Sequence, residues 1–149
     1  MDVRCEWVQW HIGDGVSDLL VNLDVDDLDK AARFYSSVFG LRAGRRLGAV
    51  GLEMLGCSSP IYLLERSATA PVETTSLART YQRHWTPVHL DFVVDEIEPA
   101  VERAVLAGAV LEKPLQVFGW GKLALMADPF GHGFCFVQFV GRGYDEIAE

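Results

Sequence analysis

His89 opens the stretch His89-Leu90-Asp91-Phe92-Val93-Val94-Asp95-Glu96-Ile97. An imidazole titrates near ~6.5 when unperturbed, which suits a general base at neutral pH, and its neutral nitrogen is also a common metal ligand. Asp91 lies two positions on, so in a strand it shares His89's face. A weaker copy stands 69 residues earlier, Leu20-Val21-Asn22-Leu23-Asp24-Val25-Asp26-Asp27-Leu28. It carries leucine where the second copy has histidine. Asn22 and Asp24 offer polar groups on the matching face, either to a cationic or polyol ligand or to solvent at a rim. Aromatic residues form a second set. Phe118, Trp120, Tyr62 and Trp85 would give a planar ligand a stacking wall, or else pack between structural units. Trp120 stands between two glycines at a hairpin tip, an odd place for a core tryptophan. His132, in a turn, reads as structural, and His11 as a surface group of an N-terminal arm. Arg45-Arg46 could meet an anionic ligand, but reads first as a solvated, charged strand edge that discourages sheet pairing.

These residues need elements to position them. Leu19 to Val25 alternates like a strand. Asp26-Asp27 can cap a helix, whose stripe is Leu28, Ala31, Ala32, Tyr35, Val38 and Phe39. Gly40 stands where a left-handed cap is expected. Three strand-like runs follow at 42–47, 50–55 and 61–65. The order then repeats: a strand at 88–94, a cap at Asp95 or Glu96, a helix with Ile97, Ala100, Val101, Ala104 and Val105 inward, an end at Gly108, and strands at 110–117, 122–126 and 134–140. The expected division is an arm at 1–18, a βαβββ module at 19–65, a linker at 66–86, a second module at 87–140 and a tail at 141–149. Residues 81–85 are expected to form a lid or short helix. Each helix covers one face of its sheet. Joining the sheets edge to edge and curling them leaves a cup lined by the other faces: Leu20, Asn22 and Asp24 on one side, His89, Asp91 and Val93 on the other. The fold class is α+β, with the helices outside.

Composition narrows the function. The chain has 149 residues, half of them hydrophobic, and a formal net charge of -8. An acidic chain is a poor partner for a phosphate backbone, so nucleic acid is excluded as a main ligand. No apolar run approaches the roughly 20 residues of a membrane span. Asp2, Arg4 and Glu6 stand where a signal peptide needs an apolar core. Cys5, Cys57 and Cys135 are odd in number and scattered, which fits reduced thiols and a cytoplasmic location. No glycine-rich phosphate loop and no Ser-His-Asp set is present. Cys135 in mid-strand has no activating neighbour, and reads as a small hydrophobe facing the cup.

Several motifs now combine: Val25-Asp26-Asp27-Leu28, Arg33-Phe34-Tyr35 and Phe39-Gly40-Leu41 in the first half; His89 to Asp95, Ala107-Gly108-Ala109 and Asp128-Pro129-Phe130-Gly131-His132 in the second. With these the chain resembles the vicinal oxygen chelate superfamily, the fold of glyoxalase I, bleomycin-resistance proteins and extradiol dioxygenases. The resemblance implies paired βαβββ modules and a cup, but no single reaction. It also implies metal ligands at the start of each first strand and within each last strand. Those points fall on Leu20, on or near Glu65, on His89 and on Cys135. Leucine cannot bind a metal, and Cys135 stands where a glutamate is usual. A divalent metal held by His89 and Glu65 is therefore not the favoured expectation, because the site is incomplete.

The preferred expectation is a metal-independent small-molecule binder using Asn22, Asp24, Asp91, Trp120, Phe118, Tyr62 and Cys135. The alternative is a lyase, isomerase or dioxygenase-like enzyme with His89 and Glu65 as catalytic partners and a weakly held metal. A structural or regulatory dimer with an empty cup is the third. Both free sheet edges lead to the expectation of a homodimer.

Overall fold

The computed structural model describes residues 18–70, 72 and 77–149. The expectations for His11 and the N-terminal arm lie outside this range, apart from Asp18. The chain runs β1 (Val21–Val25), α1 (Leu28–Phe39), β2 (Arg42–Leu47), β3 (Gly51–Leu55) and β4 (Ile61–Glu65). It then repeats as β5 (Leu90–Val93), α2 (Ile97–Leu106), β6 (Val110–Leu111), β7 (Gln116–Phe118), β8 (Gly121–Ala127) and β9 (Gly133–Phe139), ending in a 3₁₀ turn at Gly143–Glu146. The two βαβββ modules and the α+β class are as the periodicity predicts.

Local chemistry sets the boundaries. The Asp27 carboxylate accepts from the Lys30 amide at 2.8 Å, and Gly40 takes φ 68°, a left-handed value at which a side chain would be strained. The second helix differs. Its N-cap residue Glu96 makes no side-chain cap bond. The Ile97 amide is met instead by Gln138 Oε1 at 2.9 Å, from the end of β9. The expected strand at 110–117 is broken into β6 and β7, both paired to β8. Pro114, which has no amide hydrogen to give the ladder, stands in the break.

Each module folds its strands alike. The first sheet has the order β1-β4-β3-β2. The second has β5-β9-β8-β6, with β7 also on β8. In both, the first strand is an edge, parallel to the last. The two sheets are not joined into one: among the described residues no hydrogen-bonded ladder links β1 to β5. Aromatic packing gives the reason. Phe39, at the end of α1, stacks on Phe92 of β5 with centroids 3.8 Å apart, and meets Phe134 and Phe136 edge-on or tilted. The first helix thus reaches across to the second sheet. A cleft of about 860 Å³, bordered by Val21, Phe39, Leu90, Phe92 and Phe136, lies between the modules.

One core cluster spans both modules, from Val25, Phe34 and Leu63 to Ile97, Met126 and Phe136. Its polar joint is Asp128, in the Asp-Pro-x-Gly turn. This buried carboxylate accepts from the Tyr35 hydroxyl at 2.7 Å, the Phe130 and His132 amides at 2.8 and 2.9 Å, and pairs with His132 Nδ1 at 2.7 Å. Burial and the neighbouring Asp128 charge push the Tyr35 hydroxyl well above its ordinary pKa.

Candidate functional site

Strand registry shows which side chains share the face away from the helices. In the second module Asp91 pairs Cys135, which pairs Leu125, and the Glu112 amide bonds the Leu125 carbonyl. These four form a row. His89 precedes this strand and faces the same way by alternation. His89 Nε2 lies 3.1 Å from Asp91 Oδ1. One ligand atom from each of His89, Asp91 and Cys135 lies within 4.8 Å of the others. The structure therefore brings together three residues that the sequence places on one face.

Their protonation limits their chemistry. Cys135 is buried, and its thiol is pushed up to about 12 by desolvation first and then by the Asp91 charge and hydrogen bond. A thiol that holds its proton donates to a carboxylate and does not attack an electrophile. His89 and Asp91 are both accessible, with side chains 52% and 41% exposed. A carboxylate at hydrogen-bond distance orients an imidazole, which favours proton transfer or ligand hydrogen bonding over nucleophilic chemistry.

The first module has the matching row Asn22, Tyr62, Glu53. Asn22 corresponds to Asp91, Tyr62 to Cys135 and Glu53 to Leu125. Glu53 is only 3% exposed. Its carboxylate takes the Arg45 amide at 3.1 Å, the Arg45 guanidinium at 2.6 to 3.3 Å and the Tyr62 hydroxyl at 3.1 Å. A bulge between Ala43 and Arg46 lets Arg45 wrap round it. The Arg45 hydrogen bonds hold the Glu53 carboxyl at about 2 against the desolvation that opposes them.

Glu65 does not join His89. It pairs with Val25, whose side chain is buried in the core shared with α1. Its Oε2 accepts from the Leu28 amide at 2.8 Å, the first turn of α1. Gln138 makes the same bond to α2, so Glu65 and Gln138 are matching helix caps. The residue matching Cys135 is Tyr62, three positions earlier. The expected partnership of His89 with Glu65, as catalytic pair or as metal ligands, has no geometry to support it. The four matching points are Leu20, Tyr62, His89 and Cys135. Leu20 has no donor atom, and the Tyr62 hydroxyl is committed to Glu53. A four-point metal cage spanning the modules does not fit these residues.

Asp24 is engaged by Arg79 of the linker at 3.0 Å. Phe118 and Trp120 stack with centroids 5.0 Å apart and planes 5° from parallel. Trp120 also meets Tyr144 and Phe139, so four rings gather at the far end of the second sheet. Tyr62 is buried in the first module, and Trp85 is exposed outside this cluster. The aromatic wall is thus Phe118 and Trp120, with Phe139 and Tyr144 added.

Sequence reasoning missed Glu53, Glu112 and Arg83. Alternation within Gly51–Leu55 marks Glu53 as lying on the face of its sheet away from α1. No periodic signal marks Arg83, which reaches the second sheet from an irregular linker.

The chain matches the glyoxalase-like domain family over residues 20–137, and it belongs to that family. It is thereby a member of the vicinal oxygen chelate superfamily. No curated protein sequence matches it. Among solved structures it is similar to a glyoxalase/bleomycin resistance protein/dioxygenase family enzyme from Burkholderia phytofirmans, at 23% identity, covering 83% of this chain and 100% of that one, with a TM-score of 0.68. The fosfomycin resistance protein FosX from Listeria monocytogenes is similar at 21% identity, 85% and 94% coverage and a TM-score of 0.62. A lactoylglutathione lyase from Agrobacterium tumefaciens follows at 19%, 82% and 92%, and 0.56. At these identities the likeness establishes the fold.

Proposed function

We propose that this is a small-molecule-binding protein of the glyoxalase/bleomycin-resistance type, working without a complete four-point metal site. The observation that carries this is the contrast between the two rows. In the second module His89, Asp91 and Cys135 converge, and two of their side chains are open to solvent. In the first, Tyr62, Glu53 and Arg45 are closed on one another, and Asn22 alone of that row is exposed. The ligand face is the inner side of the second sheet. Four residues along β9, ~13 Å at ~3.3 Å per residue, separate Cys135 from Phe139 and the ring cluster. That span suits a ligand with a polar group at one end and a planar ring at the other. The test is a thermal-shift screen of such compounds, with mapping by amide chemical shifts. Hits that perturb 89–93 and 118–123 support the reading. A screen without hits overturns it, as does stoichiometric zinc, nickel, manganese or iron in protein purified without added metal.

The His89–Asp91 pair favours a second reading, a lyase or isomerase in which His89 moves a proton and Asp91 orients it. Turnover across hemithioacetals, acyl-CoA epimers and catechols tests it, and activity that survives His89→Ala excludes His89 as the base. We further propose a homodimer. The outer edges of β1 and β5, which have no strand partner among the described residues, and exposed Leu19 and Val93 beside the cleft support it. Light scattering at a monomer's mass would exclude it. A cytoplasmic location rests on the free Cys57 and Cys135. No helix among the described residues is long and apolar enough to cross a membrane.

A further inference from the structure

The linker crosses the Asp128 turn as a docked strap, and the turn is shaped to receive it. A β-carbon added at Gly131 would lie 2.6 Å from the Gln82 carbonyl oxygen, and Gly131 has φ +91°. A β-carbon added at Gly133 would lie 2.5 Å from the Arg83 guanidinium. Two glycines therefore leave the space that the strap fills. Gly133 precedes Phe134, the partner of Leu90, so it stands beside His89. Arg83 thus rests on the binding face of the second sheet, one row from Asp91 and Cys135. Its resting partners are the Glu112 carboxylate, at 2.6 and 3.2 Å, and the His84 carbonyl oxygen, to which its Nη1 donates. Glu112 belongs to the same row as Asp91 and Cys135, and helps hold the Cys135 thiol protonated.

The strap does not depend on that ion pair for its anchorage. The Tyr81 hydroxyl donates to the Arg66 carbonyl at 2.5 Å. Arg79 holds Asp24 at 3.0 Å and the Ala70 carbonyl at 3.1 Å. Gln82 is seated on Gly131. The Arg83 and Glu112 side chains are 36% and 29% exposed, and pairs this open contribute little net stability. The fork can leave Glu112 at small cost while the strap stays down. A guanidinium matches a planar or tetrahedral oxyanion in bidentate fashion.

We propose that Arg83 is a ligand-reading residue of this face, and that the group it reads is an oxyanion, a carboxylate or a phosphonate, which takes the place of Glu112. The proposal rests on the reading that the inner side of the second sheet is the binding face. Glu112 then acts as an internal competitor, which gives the test an unusual sign.

The experiment titrates the full chain with benzoate and phenylphosphonate, with benzylammonium and benzyl alcohol as controls, by calorimetry and amide shifts. Arg83→Gln is expected to weaken the anionic probes roughly tenfold while leaving benzyl alcohol unchanged. Glu112→Gln is expected to tighten them, by removing both the competitor and its repulsion. Gly131→Ala, which displaces the strap without touching Arg83, should copy the Arg83→Gln loss. Glu112→Gln binding the anions no more tightly than the parent would overturn the proposal, and so would benzylammonium binding best. If benzyl alcohol still perturbs Val93 and Leu123, the binding face stands and only the role of Arg83 falls. If no probe perturbs the face, the face itself is wrong. Melting curves for each variant separate lost binding from lost folding, and the Glu112→Gln sign needs no destabilised protein.

Discussion

In the first module the row Asn22, Tyr62, Glu53 ends on Arg45, and in the second the row Asp91, Cys135, Leu125 ends on Glu112. The backbones correspond strand for strand, so the difference lies in the side chains. Beyond exposed Asn22 the first row is self-sufficient: an acid, a base and a phenol satisfy one another, and Glu53 is closed to solvent. The second row has no such internal base. Its guanidinium comes from the linker, and its histidine and aspartate stay open. A repeat whose halves were once equivalent can make one half a structural lock and leave the other to meet a ligand. Breaking or exchanging matched residues tests how far that division goes.

The largest effect is expected where the halves are joined. Asp128→Ala removes the acceptor of two amides, a buried hydroxyl and an imidazole. Buried donors left without a partner cost about 1–3 kcal/mol each, so a loss of about 3–5 kcal/mol is expected by urea unfolding. A loss confined to the second module, with the first unfolding as before, would show that the halves are less coupled than one shared core implies.

The next effect separates the two rows by pH. The Glu53 carboxyl is lowered from 4.5 to about 2 in the folded protein. A depressed acid stabilises above its unfolded pKa and loses that contribution as pH falls through the folded value. Stability should therefore decline between about pH 4.5 and 2 by about 2 kcal/mol, discounted because Arg45 is 44% exposed. Glu53→Gln should remove that part of the acid sensitivity. Its counterpart Leu125 carries no charge, so Leu125→Ala should lower stability without changing its pH slope. Denaturant midpoints from pH 2 to 6 for both variants give the comparison.

A milder exchange makes the second row resemble the first. Asp91→Asn installs the residue found at Asn22. The Cys135 thiol then loses the charge that follows desolvation among the causes of its high pKa. The thiol should acidify and alkylate faster at pH 9, measured peptide by peptide against exposed Cys57. An unchanged alkylation rate would mean that burial alone protects the thiol.

Much of this was legible in the sequence. Period-2 alternation put His89 and Asp91 on one face, and helical spacing with Gly40 marked α1 closely. The fold class followed from the repeat. The joining of the sheets did not, because Phe39 reads as part of a helical stripe whichever sheet it meets. The strap was legible only as a lid or short helix at 81–85; residues 81–85 form no helix, and their seat was hidden because Gly131 and Gly133 look like turn glycines until the packed chain shows Gln82 and Arg83 filling the space above them. Glu65 was misplaced because a carboxylate in a last strand suits a ligand cage and a helix cap equally, and a shift of three positions turns one into the other.

Glu65 therefore gives the sharpest small test. Its match in the second module is Gln138, a neutral cap on the same amide position. If Glu65 only caps, Glu65→Gln should keep the hydrogen bond and lose the interaction of a charge with the helix N-terminus, about 0.5 kcal/mol. Glu65→Ala should lose the bond as well, about 1 kcal/mol in all. Neither should alter probe affinity at the second sheet or the amide chemical shifts of residues 89–93. A change in either would return Glu65 to the site, and would require the two modules to communicate through α1, whose Phe39 already rests on β5. A null result on both, with the expected loss of stability, makes Glu65 and Gln138 the part of the repeat that stayed the same while the rows diverged.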